Sequence, residues 1–260
     1  MPNCFFILRL RFDAYKKLFI IENNFKYYYW LPNGNYTTIL CVLFFIRNEI
    51  IMKNEKGGTT MNVSTCLNIL REIKDVAFAT VDEKNQPQVR IIDVMLVEDN
   101  KLYFCTARGK DFYKQLKNHP YVAITGMNEE YQMVRLNGPV KRLENQKYWI
   151  DRIFKHNLSM NNVYPNESRY ILEAFCLEEG ELEFFDLGKE PIYRESFAMN
   201  KEIKPKGFII SNQCIQCGLC QKNCPQQCIS NYQIQQEHCL HCGLCYEKCP
   251  VQAIERRKSC

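Results

Sequence analysis

No stretch of this chain is apolar for long enough to cross a bilayer, which takes about 20 residues in a helix. The longest apolar run, Ile39 to Ile46, falls far short of that. Nor is there the charged start, apolar stretch and small-residue cleavage site of a secretory signal. The formal net charge is only +5, and the basic excess never gathers into a run of Lys and Arg, so no nucleic-acid patch is read from it. G-x-G-x-x-G, the phosphate-cradling G-x-x-x-x-G-K-S/T loop and the G-x-S-x-G elbow are all missing, which removes the dinucleotide fold, the P-loop and the serine-hydrolase elbow from consideration. These absences lead to a cytoplasmic expectation, with no membrane span and no nucleic-acid partner.

Cysteine, by contrast, is abundant: the chain has 15. Cys4, Cys41, Cys66, Cys105, Cys176, Cys228 and Cys260 are scattered without pairing spacing, as expected in a reducing compartment. The other eight fall into two runs, C-I-Q-C-G-L-C-Q-K-N-C-P from Cys214 and C-L-H-C-G-L-C-Y-E-K-C-P from Cys239. Both runs read C-x2-C-x2-C-x3-C-P, and each position recurs 25 residues later. Three cysteines two residues apart suit a tight irregular turn around one metal–sulfur cubane, with Gly218 and Gly243 letting backbone N–H groups approach sulfur. Structural zinc usually takes separated C-x2–4-C pairs, and disulfides need an oxidising compartment. The spacing therefore favours iron–sulfur over both. The ninth nearby cysteine, Cys228, stands opposite Ala253 in the repeat and is expected to pack rather than ligate. His238 and His241 occupy no ligand position and are expected to face solvent.

This tail resembles the bacterial two-cluster ferredoxins, in which the fourth cysteine of each run ligates the other cluster. The resemblance implies one [4Fe–4S] cluster on Cys214, Cys217, Cys220 and Cys249, and a second on Cys239, Cys242, Cys245 and Cys224. Gly207–Ile210 and Tyr232–Gln235 stand where such a module has strands.

Upstream, the pattern from Ser64 to Leu187 predicts short strands at regular spacing with few helices. Ser64 is the expected N-cap of a helix over Thr65–Lys74. Strands are predicted over Val76–Val81, Val89–Val97, Lys101–Thr106, Tyr121–Met127, Gln132–Leu143, Tyr170–Leu177 and Leu182–Leu187. Helices are predicted over Lys110–Asn118 and Asn145–Asn157. Gly138-Pro139 marks a bulge or bend. The fold class is thus mainly β, a small antiparallel barrel with a few helices, followed by a small α+β ferredoxin domain.

The order A-F-A-T-V-D, Q-P-Q-V-R-I-I-D-V, K-L-Y-F-C-T-A-R-G-K-D-F-Y-K-Q-L-K-N-H-P, Y-V-A-I-T-G and V-R-L-N-G-P-V-K-R-L resembles the FMN-binding split barrel of the pyridoxamine-phosphate-oxidase-like superfamily. The resemblance implies FMN at a homodimer interface. It makes Arg90, Thr106 and Lys110 the phosphate candidates, with Arg108 and Gly109 in the same loop. Guanidinium, ammonium and hydroxyl are what a phosphate dianion wants. Arg135 and Asn137 are weaker candidates for the ring system, His119 and His156 are read as helix-end residues, and Cys105 as core. True pyridoxamine phosphate oxidases carry a substrate-binding C-terminal segment where this chain passes into its ferredoxin, so pyridoxamine oxidation is not expected.

The domain reading is 1–60 leader, 61–187 barrel, 188–206 linker and 207–255 ferredoxin. The function expected is that of a flavin/iron–sulfur oxidoreductase of a low-oxygen cytoplasm, meeting a redox partner protein or a small electron acceptor. A non-enzymatic electron carrier and a flavin-binding sensing module stay open beside it. The leader reading rests on composition rich in Phe, Tyr, Ile, Asn and Lys, and on Lys56-Gly57-Gly58 before Met61, whose codons can spell a bacterial ribosome-binding sequence just ahead of a start. Translation is expected to begin at Met61, with Met52 the alternative. Mass spectrometry of the protein from its native host should then find no peptide from residues 1–50; any such peptide overturns the reading.

Overall fold

The computed structural model describes residues 28–30, 36–38 and 61–257. The leader reading falls almost wholly outside the described residues, where only a short antiparallel pair is seen, β1 (Tyr28–Trp30) with β2 (Tyr36–Thr38). From Met61 onward the chain forms a single compact unit.

Helix α1 (Val63–Ile73) opens this unit. Its cap is Asn62, not Ser64: the Asn62 Oδ1 accepts the Thr65 backbone N–H at 2.9 Å, and Ser64 lies inside the first turn. Next come β3 (Asp75–Val81), β4 (Pro87–Asp93), β5 (Leu96–Glu98), β6 (Lys101–Ala107), α2 (Asp111–Asn118), β7 (Tyr121–Met127), β8 (Gln132–Pro139) and β9 (Lys141–Arg142). Helices α3 (Gln146–His156) and α4 (Met160–Val163) lead through a 3-10 turn at Asn166–Ile171 to β10 (Leu172–Leu177), β11 (Gly180–Asp186) and β12 (Tyr193–Met199). The strands make two antiparallel sheets, ordered β12-β11-β8-β7-β3-β4 and β5-β6-β10-β9. The architecture is mainly β, as expected.

Two stretches predicted as single strands are each divided between the sheets. In 89–97 the chain leaves the larger sheet at buried Val94 and Met95 and re-pairs as β5 in the smaller one. The Val94 N–H bonds to the Lys74 carbonyl and that of Met95 to Tyr103, so no donor is orphaned at the corner. In 132–143 the switch follows Gly138-Pro139. Pro139 has no N–H to continue a ladder, and Gly138 lies against the Glu179 carbonyl where a Cβ would collide. These two corners tie the sheets into a split barrel.

Between the sheets lies the main core, with Leu67, Leu70, Phe78, Phe104, Phe112, Phe175 and Phe184 among its members. Phe104 touches Phe78, Phe112 and Phe175 at ring distances of 4.9, 5.9 and 5.6 Å. The smaller sheet is covered on its other side by α3 through Ile150, Ile153 and Phe154. Strand β10 is therefore buried at every position, which is why its sequence does not alternate.

The stretch 188–206, expected to be a linker, is more than a connection. Within it Tyr193–Met199 pairs in full register along β11, from Asp186↔Tyr193 to Gly180↔Met199. Its side chains are nearly all half-buried, so it lacks the apolar alternation by which a strand is read from sequence. β12 is the barrel's last strand and the one the C-terminal domain packs against.

That domain pairs β13 (Phe208–Ile210) with β16 (Ile254–Arg256) and β14 (Ile229–Ser230) with β15 (Gln233–Ile234), and carries two short helices, α5 (Leu219–Asn223) and α6 (Leu244–Glu247). Its interior is Phe208, Ile229 and Ile254 packed among cysteines.

Candidate functional site

Two separate features gather the sequence-selected residues. The first is the cysteine tail. Cys214, Cys217, Cys220 and Cys249 line one small apolar cavity with Ile210, Leu219, Val251 and Ile254. Cys224, Cys239, Cys242 and Cys245 line a second with Phe208, Ile229 and Leu240. The fourth cysteine of each run thus stands with the first three of the other. The internal repeat extends to the backbone: Gln216 and His241, Gly218 and Gly243, and Gln227 and Gln252 all take positive φ, 25 residues apart. Gly218 at φ 74° and Gly243 at φ 82° each open a short helix directly after the second cysteine, a conformation glycine adopts without strain. Equivalent N–H···S contacts fall at Gln216 to Cys214 and His241 to Cys239, both 3.4 Å.

Among the described residues no three Cys, His, Asp or Glu side chains converge closely enough for a single metal ion. A zinc site needs four donors drawn to one point at about 2.3 Å for sulfur. Four sulfurs spread around an apolar cavity suit a cubane, whose irons and sulfides fill the space between them. Cys228 is buried 3.5 Å from the Cys224 sulfur in the wall of the second cavity. His238 and His241, expected to face solvent, are half-buried. A His238 ring nitrogen lies 2.9 Å from the Ile192 carbonyl, and the His241 Nε2 is buried. Both are on the face that meets β12, a neighbour invisible while 188–206 reads as a linker.

The second feature is an open cleft of about 690 Å³ between β4, the turn after β3 and the start of α2. Arg90 and Lys110 both line it, with Gln88, Phe112, Lys114 and Gln115. Arg90 is held from below: it donates to Thr80 Oγ1 at 2.5 Å and to Gln115 Oε1 at 2.8 Å, and its guanidinium lies 4.7 Å over the Phe112 ring. The Thr80 hydroxyl in turn donates to Gln115 at 2.6 Å. Burial lowers the Arg90 pKa from its ordinary value, and no carboxylate pairs with it among the described residues. A half-buried guanidinium without a carboxylate partner among the described residues and the Lys110 side chain, at the start of α2, line the same cleft. Asp82, in the same wall, is spoken for: it accepts from the Lys84 and Gln86 backbones, which hold its carboxyl below the usual range.

The remaining phosphate candidates are not brought into this cleft. Thr106 is buried on the core side of β6, with its hydroxyl unpartnered, opposite Glu173. Arg108 donates to the Tyr170 carbonyl at 2.8 Å and lies 3.8 Å from Glu173. Gly109 is an exposed turn residue with open space around it. Arg135 and Asn137 are on the outer face of the larger sheet, Arg135 3.8 Å from Glu183 and Asn137 accepting from the Tyr121 hydroxyl at 2.8 Å. That outer face also exposes Val89, Ile91, Tyr121 and Met127 around small Ala77, Ala79 and Ala123.

Two groups escaped sequence reading. Arg194 on β12 donates to the Cys239 carbonyl at 3.1 Å and is paired with Glu183, so it joins the barrel to the second cysteine loop. Only the strand assignment of 193–199 could have signalled it. Glu173, buried on β10, accepts from Arg142 Nε at 2.5 Å, Arg142 Nη2 at 2.9 Å and the Tyr113 hydroxyl at 2.9 Å. It fastens α2 and β9 to the smaller sheet.

A split β-barrel with a cysteine-rich ferredoxin domain seated on its last strand is the class of protein that these elements define. A family model described as pyridoxamine 5′-phosphate oxidase matches residues 65–168, and one described as 4Fe-4S binding domain matches residues 232–255. Residues 65–168 are thus a pyridoxamine 5′-phosphate oxidase-like region, and residues 232–255 a 4Fe-4S binding one. Among solved structures it is similar to a NimC/NimA family protein from Clostridium acetobutylicum, with 25% identity and a TM-score of 0.45 over 53% of this chain and 92% of that one. A pyridoxamine 5′-phosphate oxidase-related, FMN binding protein from Nostoc punctiforme is similar at 15% identity and a TM-score of 0.39, over 54% and 93%. A Clostridium acetobutylicum protein related to general stress protein 26 of B. subtilis is similar at 16% identity and a TM-score of 0.42, over 53% and 96%. No curated protein sequence matches the chain. No helix among the described residues is long and apolar enough to cross a membrane.

The Arg142 and Tyr113 bonds hold the Glu173 carboxyl below the ordinary carboxylate value. A depressed folded pKa contributes stability that is present above the unfolded value, near 4.5, and lost as pH falls through the folded one. Denaturant midpoints measured from neutral pH down to about pH 3 should therefore fall for the native chain and fall less steeply for Glu173→Gln, whose neutral-pH stability is already reduced. Parallel curves would show that Glu173 carries no such linkage.

Proposed function

We propose that the chain is a flavin- and iron–sulfur-dependent oxidoreductase. Cys214, Cys217, Cys220 and Cys249 hold one [4Fe–4S] cluster, and Cys239, Cys242, Cys245 and Cys224 hold the other. The observation that carries the reading is the crossed grouping of these cysteines around two separate apolar cavities. Bound FMN exchanges electrons in pairs or singly and each cluster exchanges one, so the cofactors together convert between pair and single transfers.

The chain's own contribution is position and charge. Arg90, clamped by Thr80, Gln115 and Phe112, presents its remaining N–H donors to the phosphate of FMN. Lys110 adds a mobile ammonium and the start of α2 adds backbone N–H groups. Thr106, Arg108 and Gly109 have a supporting part: Arg108 and Glu173 fix the loop that carries Lys110. The apolar outer face of β4, β3 and β7 is the homodimer surface, where Val89, Ile91, Tyr121 and Met127 lose their contact with water. In the ferredoxin domain Ile210, Leu219, Val251 and Phe208 give the two cysteine cavities apolar walls, with Cys217 and Cys242 left exposed. Arg194 anchors the Cys239 loop to the barrel, so the second cavity is the one adjoining the split barrel.

The double variant Arg90→Ala/Lys110→Ala tests the phosphate seat. Purified anaerobically, it should bind FMN at least about tenfold more weakly, corresponding to about 1.4 kcal/mol or more, and should keep the iron and sulfide content of the native chain. Flavin binding equal to the native chain's would remove Arg90 and Lys110 from the cofactor site.

A further inference from the structure

A second cationic cavity lies at the other edge of the larger sheet. It encloses about 290 Å³ and is lined by Glu183, Arg194, Lys206, His241, Arg256 and Arg257, with Pro205, Gly207 and Phe208 between them. The larger sheet runs from β12 at one edge to β4 at the other, and the two clefts share no lining residue.

The charges in this cavity do not balance. Its one carboxylate, Glu183, is already taken by Arg194 and approached by Arg135 at 3.8 Å. Lys206 has only a loose 3.9 Å contact with Glu181, which Lys201 approaches more closely at 3.3 Å. Arg256 and Arg257 have no carboxylate partner among the described residues. Four cations drawn around one partly enclosed space repel one another, and an anion between them removes that repulsion.

Unpartnered polar atoms add an independent sign of a ligand. The buried Nε2 of His241, in the cavity wall, meets no hydrogen-bond partner. The buried Oε1 of Gln236 also has none, although its amide nitrogen donates to the carbonyls of Phe208 and Ile234. Both atoms crowd the Cα of Gly207, where a side chain would collide with them. Buried polar groups are nearly always satisfied, and the His241 Nε2, in the tautomer that carries its proton there, is a donor open to a ligand in the cavity, whereas the Gln236 Oε1 is an acceptor outside the lining and does not bear on an anion.

We propose that this cavity is a second anion site, built for a small phosphate- or carboxylate-bearing molecule and distinct from the Arg90–Lys110 cleft. Arg256, Arg257 and Lys206 supply its charge and His241 a directed N–H. The site directly adjoins the second cysteine cavity: Phe208 lines both, and Arg194 reaches from one to the Cys239 carbonyl of the other.

Titration calorimetry of the full chain, loaded with metal and flavin, with inorganic phosphate at low ionic strength is the test. One saturable site per chain is expected, with flavin retained, and Arg257→Gln and Lys206→Gln should each weaken it about tenfold. Absence of saturable binding means the cations serve only the neighbouring sulfurs and overturns the proposal. Equal affinity in both variants places the phosphate elsewhere and also overturns it. Release of flavin on phosphate binding identifies the bound group's competitor as the cofactor phosphate and overturns the claim of a second site.

Discussion

A domain of about fifty residues whose interior is largely sulfur cannot bury enough apolar surface to hold itself together. Phe208, Ile229 and Ile254 are its buried large apolar members beside four buried cysteines, with Ile210 and Ile234 packed partly buried against them. Everything particular to this chain follows from that deficit. Bound metal supplies stability in other small domains of this kind by linking ligands far apart in sequence. Here the two runs are laced together, since Cys224 stands with the second and Cys249 with the first. The barrel supplies the remainder through β12, where Arg194 and the Ile192 carbonyl grip the Cys239 loop and His238.

The barrel solves a different problem with the same economy of means. Its aromatic core draws Phe78, Phe104 and Phe175 from the inner faces of the two sheets and Phe112 from α2. One ring of that core, Phe112, also forms the floor beneath Arg90. The ring that supports the Arg90 guanidinium is therefore part of the packing that makes the sheets close. Glu173 plays a matching part on the smaller sheet, fixing α2 and β9 through Tyr113 and Arg142. Among the described residues, Arg90 and Lys110 at one edge and Arg256 and Arg257 at the other have no carboxylate partner.

Much of this was legible in the sequence wherever one residue type carries one geometry. The glycines after the second cysteine of each run take the expected backbone, and the strand–turn–strand order from Val76 to Asp93 reappears. The turn at Asp99-Asn100 takes the left-handed conformation at both residues, as a two-residue hairpin requires. What escaped was set by neighbours distant in sequence. The division of 89–97 and of 132–143 depends on which sheet receives the chain after the corner, and local β-propensity is the same on both sides. Strand β12 escaped because its half-buried faces lack alternation. With β12 unseen, Arg194, His238 and His241 had no visible partners. The loop Thr106–Lys110 was read as one cluster, yet Thr106 points into the core and Lys110 into the cleft, because one ends a strand and the other begins a helix.

The central claim is that one chain joins an FMN barrel to two cubane sites. Anaerobic purification followed by counts of iron, acid-labile sulfide and flavin tests it most directly. The account predicts about eight iron, about eight sulfide and about one FMN per chain. Zinc in place of iron, or half the iron with no flavin, would contradict it.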